Sequence, residues 1–183
     1  MIPGFSRTYD GQSPHYEVWY GKVDLAPEKA FWFRYTLLDG TVREASTWAI
    51  LFDENDITGE RDVWDVEDLA PGNTVIIPRT DEIDRFRDQK QVFHLGESHL
   101  DERNAIGQAG ELEWDLHWDD SGRRFRYVPP FLKTVGVARS TYNSCLFDLT
   151  MNGRIESNGQ SYEVDSATGM IGHIEGSKII GDS

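Results

Sequence analysis

The chain has one cysteine, Cys145, in 183 residues, which excludes an internal disulfide framework and any multi-cysteine metal site. No run approaches the roughly 20 apolar residues of a membrane-spanning helix. Basic residues are scarce, with 18 Lys and Arg against 32 Asp and Glu, for a net charge of -14. Such a surface repels phosphate backbones and anionic membranes, so nucleic acid is not an expected partner. There is no P-loop, no dinucleotide-binding fingerprint and no nucleophile elbow, and no repeat or low-complexity tract. The opening Met1-Ile2-Pro3-Gly4 lacks the basic and apolar regions of a secretory signal, so a cytoplasmic location is the default expectation.

Aromatic rings are abundant: six Trp, seven Tyr and nine Phe. They fall largely in β-type runs. His15 to Asp24 reads as a strand, Leu25 to Lys29 as a turn, and Ala30 to Leu38 as a second strand. Asp39-Gly40 is a two-residue hairpin signal, leading into a third strand from Thr41 to Phe52. That turn would pair Leu38 with Thr41, Tyr35 with Glu44 and Phe31 with Trp48. One face would then hold Phe31, Phe33, Tyr35, Leu37, Glu44 and Trp48, and the other Trp32 and Arg34.

The acidic stretch 53–72 reads as a loop with a helical turn near Val63 to Leu69. Thr74 to Pro78 and Gln91 to Leu95 read as short strands, with a charged helix or loop between them. Glu111 to Trp118 alternates strictly, placing Leu112, Trp114, Leu116 and Trp118 on one face. Ser121-Gly122 then predicts a hairpin that sets Trp118 against Phe125, Leu116 against Tyr127 and Asp119 against Arg124. Asn158-Gly159 predicts a third, pairing Ile155 with Tyr162 and Arg154 with Glu163. Three hairpins with consistent faces predict an all-β protein, an antiparallel barrel or a strongly curved β-sandwich, in one domain over 1–183.

The candidate chemistry is polar groups set among rings. Glu44 opposite Tyr35 would be a carboxylate with its charged form disfavoured by desolvation, able to act as an acid, a base or a ligand anchor. Glu17 and Trp19 share one strand face, opposite Tyr16, Val18 and Tyr20, and the pattern does not say which face is inside. His94 and His99, with Glu97 and Asp101 nearby, match no metal-binding spacing and read as a polar loop. His117 reads as surface, Gly107 to Gly110 as a flexible connector, and Cys145 as core. His173 and Glu175 emerge from the same face if their segment is extended.

The run YEVWYGKVDL, followed by FWFRYTLLDG, and the ending GRIESNGQSYEVDSATGMIGHIEGSK resemble the lipocalin-like proteins grouped with hydroxyneurosporene synthase (carotenoid 1,2-hydratase) and AttH. The resemblance covers both ends of the chain. It implies a lipocalin-like β domain equivalent to the N-terminal barrel of a two-barrel family. It further implies no metal or organic cofactor, a hydrophobic isoprenoid or lipid-like ligand, and a second barrel or a second copy as partner. A hydratase or cyclase working by acid catalysis, with Glu44 as the acid, is the alternative to a binding domain, and an interaction domain the third reading. His173 is carried over from the family's Gly–His turn. Trp19, Phe33, Tyr35, Glu44, Trp48 and His173 are the predicted ligand-binding residues.

Overall fold

The structure is a computed structural model and describes residues 13–65, 93–119, 122–127 and 140–177. The predicted segments at 1–12, 74–78 and 81–91 and the end of the predicted 63–69 turn lie outside these residues, as does the Cys145 side chain. The described residues are all β, without a helix. Their strands are β1 (His15–Ala26), β2 (Lys29–Asp39), β3 (Arg43–Asp53), β4 (Asp56–Asp65), β5 (Phe93–Leu95), β6 (Ser98–Leu100), β7 (Asn104–Ala109), β8 (Leu112–Trp118), β9 (Arg123–Arg126), β10 (Ser140–Ser157) and β11 (Gln160–Gly176). They form one antiparallel sheet in the order β4-β3-β2-β1-β11-β10-β8-β7-β6-β5, with β9 also on β10. The sheet curls strongly, as the predicted fold class requires.

The Asn158-Gly159 hairpin forms in the predicted register, Ile155 against Tyr162 and Arg154 against Glu163. Both turn residues take positive φ, 51° and 77°, as a type I′ turn demands. The first hairpin differs. Asp39 is the last residue of β2, buried, with its carboxylate accepting from Arg43 Nε at 2.9 Å. The turn is therefore the three residues Gly40, Thr41 and Val42, and Asp39 pairs with Arg43. A register shift by an odd number of residues exchanges the faces of one strand. Tyr35 consequently faces Thr47, Phe33 faces Ala49 and Leu37 faces Ala45. Packing favours this outcome, because the large rings of β2 need small neighbours. Glu44 and Trp48 lie on the outer face.

The Ser121-Gly122 hairpin does not form. Both edges of β8 are occupied, by β7 and by β10. β9 instead continues along β10 beyond β8, pairing Phe125 with Ser144. Trp118 is buried, whereas Phe125 and Tyr127 are exposed. The alternation of β8 is as predicted, with Leu112, Trp114, Leu116 and Trp118 all inside. Two segments expected to be loops are strands. Residues 56–65 form the edge strand β4, where acidic side chains protect the edge. The Gly107 connector belongs to β7, because a Cβ at Gly107 would lie 2.2 Å from the Trp114 ring.

The curled sheet meets itself along a seam made by side chains. The seam side of β7 presents carbonyls toward β2 and β3. The Tyr35 hydroxyl donates to Ile106 O at 2.8 Å, and Thr47 Oγ1 to Gln108 O at 2.5 Å. Beyond them Gly110 N donates to Asp62 Oδ2 at 3.2 Å. Tyr35 also accepts from Trp114 Nε1 at 2.8 Å. Phe31, Phe33, Tyr35 and Trp114 pack ring against ring at centroid separations of 5.7–6.1 Å, so this half of the interior is filled.

Burial holds the Tyr35 phenol well above its ordinary value, opposed by the Trp114 hydrogen bond. The unfolded chain ionises this group near pH 10 and the folded chain does not. Its contribution to stability is therefore complete below about pH 10 and is lost as pH climbs above it. Tyr35→Phe is expected to cost about 2–4 kcal/mol, because Ile106 O and Trp114 Nε1 lose their partner. It should also flatten the alkaline fall in stability. Urea unfolding across neutral to alkaline pH checks both.

Candidate functional site

β1 is paired on both sides, by β2 and β11, and its inward face carries Glu17, Trp19 and Val23. That settles which face is inside. β11 sets Glu175 opposite Glu17 and His173 opposite Trp19. The strands so bring together residues 156 positions apart, in a layer between the packed rings and the barrel end where β1 begins.

Four of these groups are buried: Glu17 at 0%, Trp19 at 0%, His173 at 1% and Glu175 at 8% exposure. His173 Nε2 lies 3.2 Å from Glu17 Oε1, and His15 Nε2 lies 3.6 Å from Glu17 Oε2. Thr141 Oγ1 donates to Glu175 Oε1 at 2.6 Å. The His173 ring stacks on the Trp19 indole, with centroids 5.1 Å apart and planes 9° from parallel. Phe93 meets Trp19 edge-on at 6.2 Å and touches Tyr35 at 5.1 Å.

An ionised Glu17 can only accept, so the hydrogen shared with His173 sits on Nε2. Nδ1 is then a lone pair in the neutral ring and a donor in the protonated one. Neither His173 Nδ1 nor Trp19 Nε1 has a hydrogen-bond partner among the described residues. Buried polar atoms are nearly always satisfied, and these two point into an aromatic interior. Two carboxyl groups facing each other across neighbouring strands also oppose stability. The arrangement suits binding a polar group on an otherwise apolar body, and proton transfer to or from it.

Of the predicted site residues, Trp19 and His173 meet directly, and Tyr35 reaches them through Phe93. Phe33 is in the filled core. Glu44 and Trp48 are on the far side of the sheet, where Glu44 pairs with Arg61 and Trp48 packs against the Arg34 and Arg61 guanidiniums. The buried acid assigned to Glu44 is therefore misplaced, a consequence of the three-residue turn. Glu17, Glu175, His15 and Thr141 were not selected. The usable signal was that two strands each carry a carboxylate two residues from a ring. His173 belongs to an uninterrupted strand. His94 and His99 are not in a polar loop but pair across β5 and β6, with rings stacked at 6.4 Å and both imidazoles pushed below their ordinary value by burial. Among the described residues no group of three or more His, Cys, Asp or Glu is placed to hold a metal ion.

No family model matches the chain, and no curated protein matches it. Solved structures do. The AttH candidate NE1406 of Nitrosomonas europaea is similar with a TM-score of 0.60 at 16% identity, over 91% of this chain and 53% of that one. Kievitone hydratase of Nectria haematococca is similar with a TM-score of 0.50 at 11% identity, over 98% of this chain and 53% of that one. The likeness is one of fold, lipocalin-like in both cases. The chain spans about half the length of each.

Replacing a buried ionic pair by apolar residues of similar volume is commonly neutral or stabilising, while removing one partner is destabilising. Glu17→Leu alone is expected to lose about 3 kcal/mol or more. The Glu17→Leu/His173→Phe double variant should recover most of that loss. Denaturant unfolding of the full double-mutant cycle checks this. A double variant no more stable than Glu17→Leu would make the pair a structural element.

Proposed function

We propose that the chain is a lipocalin-like domain that binds a hydrophobic small molecule, isoprenoid or lipid-like, by a polar group held at the Glu17–His173 layer. The observation that carries this reading is the pair of buried nitrogens, His173 Nδ1 and Trp19 Nε1, that have no hydrogen-bond partner among the described residues and lie among aromatic rings. The lipocalin-like fold of both structural neighbours supports it. The ligand's apolar body would lie along Trp19 and Phe93, since the rings beyond Tyr35 already fill the interior. The greater length of both neighbours suggests a second β domain as partner, in the same polypeptide or as a second copy.

The Glu17–His173 pair favours one further reading, a hydratase-type reaction. A protonated His173, held by Glu17, would deliver a proton from Nδ1 to an alkene carbon, and water would add to the resulting cation and return a proton to the imidazole. One neighbour bears the name of a hydratase.

Farnesol titrated into the protein should quench tryptophan emission saturably, because Trp19 stacks on the residue that would hold the hydroxyl. His173→Phe keeps the stack and removes the nitrogen, and is expected to weaken binding about tenfold. No saturable change with the unsubstituted chain would overturn the binding reading. For the reaction, an isoprenoid alkene incubated in ¹⁸O-water should gain one labelled oxygen, and Glu17→Gln should abolish the gain while leaving alkene binding in place. Binding without labelling would remove the hydratase reading alone.

A further inference from the structure

The outer face of β1, β2 and β11 carries a groove that the interior site does not use. Tyr16, Val18 and Tyr20 of β1 form its floor, Trp32, Arg34 and Leu38 of β2 one wall, and Ile174 of β11 the other. Its volume is about 470 Å³, within the range of about 300–1,000 Å³ usual for small-molecule sites. The aromatic surface continues past it. Tyr20 stacks with Tyr142 at 6.2 Å, Tyr142 meets Tyr127 at a tilt at 4.5 Å, and Tyr127 meets Phe125 edge-on at 4.7 Å. The last two rings are more than half exposed. The Tyr16 hydroxyl donates to Ser140 Oγ at 2.9 Å, and the Tyr20 and Tyr142 hydroxyls bond to each other. With these polar tips engaged, the rings offer apolar faces.

One charge stands in this groove. Arg34 is half-buried. Its Nε donates to Thr36 Oγ1 at 2.8 Å, and its guanidinium packs on the Trp48 ring at 5.2 Å. The neighbouring Arg61 is neutralised by Glu44. Arg34 has no ion pair among the described residues, and its two terminal amino groups donate to none of them. A guanidinium removed from water keeps its charge and favours a planar, bidentate anion. Arg34 shares the Trp48 ring with Arg61 and feels the Glu44 carboxylate beside it, and it is the charged side chain among the otherwise apolar and aromatic residues lining the groove.

We propose that this groove is a ligand site for a long-chain carboxylate: Arg34 takes the carboxylate, and the acyl chain lies along Tyr16, Val18, Tyr20 and Ile174. The site is on the opposite side of the sheet from Glu17 and His173 and does not depend on the function proposed for them.

The test titrates the full chain with laurate below its micellar concentration, by calorimetry and tryptophan fluorescence, beside lauryl alcohol and dodecyltrimethylammonium. Laurate is expected to bind at one site. Arg34→Gln should weaken it about tenfold or more, as loss of a charge-assisted hydrogen bond implies, and Arg34→Lys should restore part of the affinity. The alcohol should bind more weakly than laurate and be indifferent to Arg34→Gln, and the cation should not bind. His173→Phe, which disables the interior site, should leave laurate affinity unchanged. Circular dichroism establishes that each variant folds. Equal laurate affinity in Arg34→Gln, equal affinity for acid and alcohol, or loss in His173→Phe alone would overturn the assignment. Arg34-dependent sedimentation with phosphatidylserine vesicles, without binding of monomeric laurate, would overturn it in favour of a membrane surface.

Discussion

The fold rests on one hydroxyl. Tyr35 bridges the Ile106 carbonyl and the Trp114 indole from opposite sides of the curled sheet, joining β2 to β7 and β8 where no backbone ladder connects them. A barrel closed by a ladder tolerates any side chain that fits. One closed by side chains requires particular atoms at particular heights. Thr47 and Asp62 occupy the neighbouring positions along the same seam. The close approach also suits the small residues Ala45, Thr47 and Ala49 on the inner face of β3: a strand held by a phenol and a threonine hydroxyl cannot stand far from the sheet it closes.

Much of the fold is legible in the sequence because it is local. The Asn158-Gly159 turn, the alternation of β8 and the all-β class depend on residues near one another. Asp39-Gly40 misleads because a turn signal says nothing about whether its first residue is used elsewhere. Asp39 is buried and pairs with Arg43, so the turn runs from Gly40 to Val42 rather than over Asp39-Gly40, and the resulting register puts Glu44 on the outer face. Both faces of β3 carry apolar side chains, so hydrophobic pattern alone cannot detect the exchange. Ser121-Gly122 misleads for a different reason, since one edge of β8 is taken by its hairpin neighbour β7 and the other by β10, which is distant in sequence. The site was half legible. Trp19 and His173 were each singled out, but their meeting is created by the pairing of β1 with β11, which leaves no local trace.

Glu17, His173 and Glu175 run against the rest of the interior. At the seam a buried polar group is doubly satisfied, the Tyr35 hydroxyl donating to Ile106 O and accepting from Trp114 Nε1. In the Glu17–His173 layer two facing carboxyls and an imidazole with an unmet nitrogen replace side chains that would pack better. On the other side of the same three strands, Arg34 presents a similar contrast of one charge among rings. The strands β1, β2 and β11 thus separate two environments of like design.

The pairing of Tyr16 with Gly176 has a consequence for how the molecule forms. β1 is the first strand described and β11 the last, yet they are neighbours at the centre of the sheet. The β1–β4 meander and the β10–β11 hairpin can each form from local contacts. Joining them means closing a loop of well over a hundred residues, the slow kind of step for a chain of non-local pairings. Until that step the rings of β1 and β2 stay half-covered, waiting for the β10–β11 hairpin to dock. The strong acidity of the chain keeps such waiting intermediates apart by mutual repulsion.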